Sequence, residues 1–225
     1  MNPELRNVHQ HMLGLGLGAL AHANWHANYS SSESQHWPEL SVLQAAHAAE
    51  LLIKARIAEQ HPLLIFDQLP RSTQTGDAPL SLRHLVERGK TIQFSDLPER
   101  LWATTGQKLP SVELFDAFGR LRNVIQHFVS PEGRDLSRET IEFIYGVIDP
   151  FINASWGYCA VDHNEDTEPY TYLLEGLIQR KVLFCVSTEA ASSFDYNQYG
   201  WSETAGGYEG EMARRFAEAL SDNST

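Results

Sequence analysis

Two cysteines, Cys159 and Cys185, are all that the 225 residues hold, and no CxxC pair is among them. Lone thiols of this kind read as small buried hydrophobes rather than as a disulfide framework, in keeping with a reducing compartment. A run of 18 uncharged apolar residues is also missing, so no membrane-spanning helix is expected. The stretch "HMLGLGLGALAHANW" approaches a secretory leader, yet its apolar core is short and broken by glycine, and its front mixes Glu4 with Arg6. The chain therefore reads as cytoplasmic. Positive charge is scarce: 17 Lys and Arg face 29 Asp and Glu, a formal balance of −12 that argues against an indiscriminate polyanion binder. The deficit is uneven. Residues 71–138 carry a balance of +2 and the remainder −14, so a phosphate-binding surface is expected in the middle third.

Strand signals are scarce as well, and the pattern that remains is helical. Residues 38–60, "PELSVLQAAHAAELLIKARIAEQ", start on a helix-compatible proline and stop before Pro62. Ala45, Ala46, Ala48 and Ala49 make that helix slim enough for close neighbours. Four Pro and Gly residues in 62–80 mark a long loop, followed by short helices over 81–90 and 97–105. Pro110 and Ser111 open a long helix to Phe128, closed by Pro131 and Gly133. Ser137 can cap a helix over 138–155 that Asp149-Pro150 bends or divides. Further helices are expected over 169–187 and across "EGEMARRFAEAL". The fold class is all-α, read as an N-terminal helix and connector (1–37), a helical core (38–155) and a C-terminal helical extension packed on it (156–225).

Two octapeptides nearly coincide. "LRNVHQHM" at 5–12 and "LRNVIQHF" at 121–128 share six of eight residues, but the likeness does not extend in either direction. A duplicated structural unit would repeat over roughly twenty residues or more. On the helix 111–128, Leu114, Phe118, Leu121, Ile125 and Phe128 are spaced 4, 3, 4, 3 and form a core-facing stripe. Asp116, Arg120, Asn123 and His127 cluster opposite, with Asn123 and His127 as i, i+4 neighbours, while Arg122 lies at the stripe's edge and can reach around. A solvated polar face is one reading of this set. The chemical reading is a phosphodiester site, in which a histidine moves a proton near neutral pH, an arginine holds phosphate charge and an amide orients either.

The R-N-x-x-x-H pattern late in an amphipathic helix resembles the signature of the HEPN superfamily (higher eukaryotes and prokaryotes nucleotide-binding domains), and "AAHAAELLIKARI" resembles that family's earlier helix. The resemblance covers about residues 38–150. It implies an HEPN-like helical bundle with additional C-terminal helices, and a metal-independent endoribonuclease of toxin–antitoxin or phage-defence type. It also implies Arg122, Asn123 and His127 as catalytic residues, with Glu50, Lys54 and Arg120 beside the substrate. The partners it implies are RNA, a second copy of the chain, and an antitoxin such as a nucleotidyltransferase; no cofactor or metal is implied. The alternative is a catalytically inactive module that binds RNA, nucleotide or a partner protein, and a third reading is a structural dimer.

R-x4-H alone is weak, since 13 Arg and 10 His predict about 0.6 matches by chance. The chain has three. Arg56/His61 ends against Pro62, and Arg6/His11 sits at a terminus expected to fray. Context selects Arg122/His127. Other candidates carry less: Glu50 and Lys54 also form a plain helical ion pair, and His22 and His26 have ligand spacing with no third ligand assigned. "GLGLGA" lacks a preceding strand, and "DHNEDTE" lacks the glycine and terminal glutamate of a calcium loop. Trp25, Trp37, Trp102, Trp156 and Trp201 are too scattered for a base-stacking platform and read as core.

Overall fold

The structure, a computed structural model, describes residues 3–29, 34–72, 80–166 and 168–221. The fold is all-α: among these residues the only sheet is one two-stranded ladder. No helix among them is long and apolar enough to cross a membrane. The chain forms two compact units, Met1–Gly18 with His47–Leu109, and Ala19–Ala46 with Pro110–Thr225. This division is not sequential: segments 1–37 and 38–155 are each shared between the units, and 156–225 lies wholly in the second.

In the first unit the early part of α1 (Val8–Asn28) packs on the later part of α2 (Trp37–Gln60). Gly16 shows why this is possible: a Cβ there would sit 2.9 Å from Leu52 Cγ, a contact that real side chains do not make. The "GLGLGA" stretch is thus a helix-packing element at Gly16, not a phosphate loop. Small residues do the same on α2, where Ala48, Ala49, Ala55 and Ala58 are all buried. The loop expected over 62–80 contains β1 (Phe66–Gln68), which pairs antiparallel with β2 (Lys90–Thr91) across a register irregularity. Strands of three and two residues are too short to show an alternating pattern. Between and beyond them lie α3 (Leu82–Arg88), capped by a reciprocal Ser81–His84 box, and α4 (Leu97–Thr105).

The second unit is built around α5 (Val112–His127), whose first turn is capped by the Ser111 hydroxyl accepting from the Leu114 N–H. Its buried face is Phe115, Phe118, Gly119 and Leu121, with Phe118 stacked on Phe143 at 3.9 Å. Phe128 corrects the expected stripe: it is 85% exposed, because the helix ends at His127 and the ring leaves the helical register. The next helix starts at Leu136, capped by Asp135 rather than Ser137. It runs as α6 (Leu136–Phe143), a π turn (Ile144–Ile148) and α7 (Asp149–Trp156). The Asp149 N–H reaches back five residues to the Ile144 carbonyl, a widened turn placed just ahead of Pro150, which has no N–H to give.

Helix α8 (Pro169–Gln179) is shorter than expected. It stops in a Schellman arrangement, with Lys181 N–H on the Ile178 carbonyl and Val182 N–H on the Leu177 carbonyl. That turn needs a left-handed residue, and Lys181 supplies it at φ 56°, the one non-glycine with positive φ among the described residues. Residues 182–187 then run without regular structure to α9 (Thr188–Ser193), and α10 (Gly207–Ser221) follows. A Cβ in the left-handed region costs about 1 kcal/mol. Lys181→Gly is therefore expected to raise the melting temperature by roughly 2–4 °C for a chain of this size, as read by circular dichroism. An unchanged or lower value would show that the lysine side chain stabilises the turn it strains.

None of the five tryptophans belongs to the core: Trp102 is exposed and the other four are half-buried. The indole is too large to be enclosed easily. Core volume in the second unit comes instead from Phe115, Phe143, Phe184 and Phe216, all fully buried.

Candidate active site on the α5 helix

Once Phe115, Phe118 and Leu121 are buried, the helical period fixes what faces outward. Arg120, Asn123 and His127 are exposed, and Arg122 is half-buried at the edge of the apolar face, as the spacing implies. Arg122 bends round its own helix, and its Nη1 donates to Asn123 Oδ1 at 3.0 Å. This contact aligns the guanidinium with the residue one helical turn before His127. His127 and Arg120 make no hydrogen bond or ion pair among the described residues, so the imidazole keeps both ring nitrogens available. A positioned cation, an amide and an accessible imidazole on one stretch of helix can bind a phosphate and move a proton beside it.

The other two R-x4-H matches are built differently. Arg6 and Asn7 precede α1 and only His11 is helical, so that octapeptide does not present its residues along one helix. Arg56 donates to Glu59 Oε2 at 2.5 Å and to Gln107 Oε1 at 3.4 Å. His61 caps the 3-10 turn Pro62–Ile65 by accepting the Leu63 N–H at 3.2 Å.

Glu50 and Lys54 belong to the first unit, while Arg120, Arg122, Asn123 and His127 belong to the second. Their ion pair is not the solvated one that helical spacing suggests: Lys54 is buried, with Nζ 2.6 Å from Glu50 Oε1 and 3.4 Å from Thr91 Oγ1. It ties α2 to β2. The acidic loop is likewise occupied by its own contacts. Tyr29 donates to Asp166 at 2.7 Å, Tyr170 and Ser187 donate to Asp162 at 3.0 and 2.6 Å, and Glu165 pairs with His22 at 2.8 Å. No cluster of three or more His, Cys, Asp or Glu with metal-binding geometry occurs among the described residues.

A buried polar core in the second unit is hidden in the sequence. Asp149 has no exposed surface, and its two oxygens accept the Ala160 N–H at 2.7 Å and the Cys185 N–H at 2.6 Å. Burial outweighs these donors and pushes its carboxyl up to about 6. Asn24, also fully buried, donates to the Ala160 and His163 carbonyls and accepts from Tyr145 Oη. Burial, with Asp149 close by, pushes the Cys159 thiol up to about 12 and raises that of Cys185 too. The thiolate is therefore scarce, and neither cysteine is poised as a nucleophile.

Compared with protein-family models, with curated proteins and with solved structures, the chain gives no match.

Proposed function

We propose that the chain is a metal-independent endoribonuclease of HEPN type, a toxin or phage-defence nuclease that cuts RNA through its own 2′-hydroxyl. The observation that carries this reading is the Arg122–Asn123 contact at 3.0 Å, with an exposed His127 one turn on whose ring has no partner among the described residues. In the reaction the ribose 2′-oxygen attacks the adjacent phosphorus, the bond from phosphorus to the 5′-oxygen breaks, and a 2′,3′-cyclic phosphate and a 5′-hydroxyl remain. His127 takes the proton from the 2′-hydroxyl or supplies one to the departing 5′-oxygen. Arg122 offsets the charge that builds on the phosphate oxygens, and Asn123 holds Arg122 in place.

One helix offers a single histidine and, on divergent faces, Arg120 and Arg122, too little to surround a phosphate. The end of α5 also exposes a patch beside His127, with Val124, Phe128 and Val129 at 38, 85 and 66% exposure. A second copy covering that patch would bring two sets of site residues together about a two-fold axis. A neighbouring antitoxin, such as a nucleotidyltransferase, is the expected regulator of a toxin of this kind.

Chelation tests the reading. The residues assigned provide acid–base and cationic groups and no carboxylate cluster, so cleavage of RNA in excess EDTA should proceed at an unchanged rate. Mass spectrometry of the fragments should find 2′,3′-cyclic phosphate ends. Cleavage that stops with chelator and returns with magnesium, or fragments bearing 5′-phosphates, would overturn the mechanism. RNA that is bound and never cut would favour an inactive binding module.

A further inference from the structure

The second unit carries an open groove between α6–α7 on one side and the run from Arg180 to Val186 with α10 on the other. Three cavities of about 320, 550 and 360 Å³ make it up. The first two share Arg138, Glu142, Arg180 and Val182, and the last two share Cys185 and Arg215, so the groove is elongated rather than compact. In a chain of net charge −12, the central cavity is lined by Arg138, Arg180, Lys181 and Arg215 against Glu142 and Asp149, while the flanking cavities add Asp135 at one end of the groove and Glu218 at the other. Asp149 is buried and both its oxygens are occupied by backbone donors.

The four cations are not equally committed. Arg215 is held by Glu211 and the Phe184 carbonyl, and Arg138 by Glu142 in an exposed pair. Among the described residues the Arg180 guanidinium has only the neutral Asn28 Oδ1, at 3.1 Å, and the Lys181 ammonium has no partner. Cations near a helix C-terminus are favourable in themselves, but that benefit does not require the left-handed position. Glycine closes a Schellman turn without strain, yet the chain places a lysine there, beside the groove. A non-glycine residue at a left-handed position is uncommon, and at Lys181 it sets an ammonium beside the groove where glycine would leave none.

We infer that this groove binds the sugar-phosphate backbone of a single-stranded nucleic acid, with Arg180 and Lys181 as its phosphate contacts. The elongated shape suits a strand better than a compact ligand, and planar guanidinium groups suit phosphate oxygens. All but one of these cations lie outside the middle third, where charge balance alone points. The inference shares its class of substrate with the ribonuclease reading, and binding is measured apart from cleavage.

The probe is a fluorescein-labelled 2′-O-methyl RNA 12-mer, which cannot be cut, with the matching single-stranded DNA as a second arm. Fluorescence anisotropy across a salt series is the readout. The wild-type chain should bind both strands, with affinity falling linearly on a log–log salt plot. Arg180→Ala combined with Lys181→Gly should weaken binding uniformly across sequences and lower that slope by roughly 1.4, about 0.7 for each phosphate no longer neutralised. Lys181→Gly alone should bind more weakly while melting at a higher temperature, a pairing that damage to the fold cannot produce. A wild-type chain that fails to bind at low salt, or variants whose slope is unchanged, would overturn the inference. So would a polyglutamate peptide that displaces the RNA with the same dependence on Arg180 and Lys181, since the groove would then take acidic protein segments. Cleavage of an unmethylated strand reports separately: groove-dependent binding without cleavage removes only the nuclease, and cleavage with groove-independent binding removes only the groove.

Discussion

Replacing His127 with alanine should reduce RNA cleavage by roughly 10²–10⁴-fold, the span over which a positioned proton-transfer group contributes. Arg122→Ala should cost roughly 10²–10³-fold, as loss of a charge-stabilising donor does. Both changes should leave helix content intact. His127 is exposed and bonds to nothing among the described residues, so its removal should shift stability by less than about 0.5 kcal/mol. Arg122 is half-buried and hydrogen-bonded to Asn123, and its loss should cost about 1 kcal/mol. Asn123→Ala should fall between wild type and Arg122→Ala, because it frees the guanidinium without removing it. The contrast is His11→Ala, in the near-identical octapeptide. Arg6 and Asn7 lie ahead of α1 there, so no helix aligns them with His11, and activity should stay within a few-fold of wild type. Single-turnover rates on one labelled RNA measure all four variants. Equal damage from His11→Ala and His127→Ala would mean that the two octapeptides form one site, or that neither does.

Features carried by local chemistry are legible in the sequence. The all-α class, the 97–105 helix, the Ser111 cap and the outward placement of Asn123 and His127 follow from helical period and turn residues within a few positions. Features set by distant partners are not. Lys54 reads as an exposed ion pair until β2 is seen to bring Thr91 within 3.4 Å of it. Residues 169–187 read as one continuous helix because nothing in "IQRKVLFCV" is a glycine or proline, and only the structure shows Lys181 taking the glycine's role. Phe128 fits the apolar spacing of α5 and fails because the helix ends one residue earlier. Asp149 is the clearest case. Beside Pro150 it reads as a helix break, and its true partners are backbone groups 11 and 36 residues away.

Removing that carboxylate should be the most damaging single change to the second unit. Asp149→Ala leaves the Ala160 and Cys185 N–H groups without acceptors in a region where Ala160 is fully buried. Each buried donor left unmade costs about 1–3 kcal/mol, so the variant should lose about 2–5 kcal/mol in urea denaturation at pH 7. The loss should also depend on pH. Burial raises the carboxyl from 3.8 to about 6, so between those values the folded chain keeps a proton that the unfolded chain has released. Stability from this group is therefore fully present below the lower value and is lost as pH rises through the upper one. Asparagine cannot titrate. Between pH 7 and pH 5 the wild type should accordingly gain about 1 kcal/mol over Asp149→Asn, with the gap widening as the solution is acidified. Urea midpoints and slopes for the two proteins at both pH values measure it. A gap that narrows on acidification would mean that the two backbone donors at 2.7 and 2.6 Å stabilise the ionised form more than burial opposes it. Asp149 would then be a buried anion whose protonation loosens the 159–160 and 185 segments.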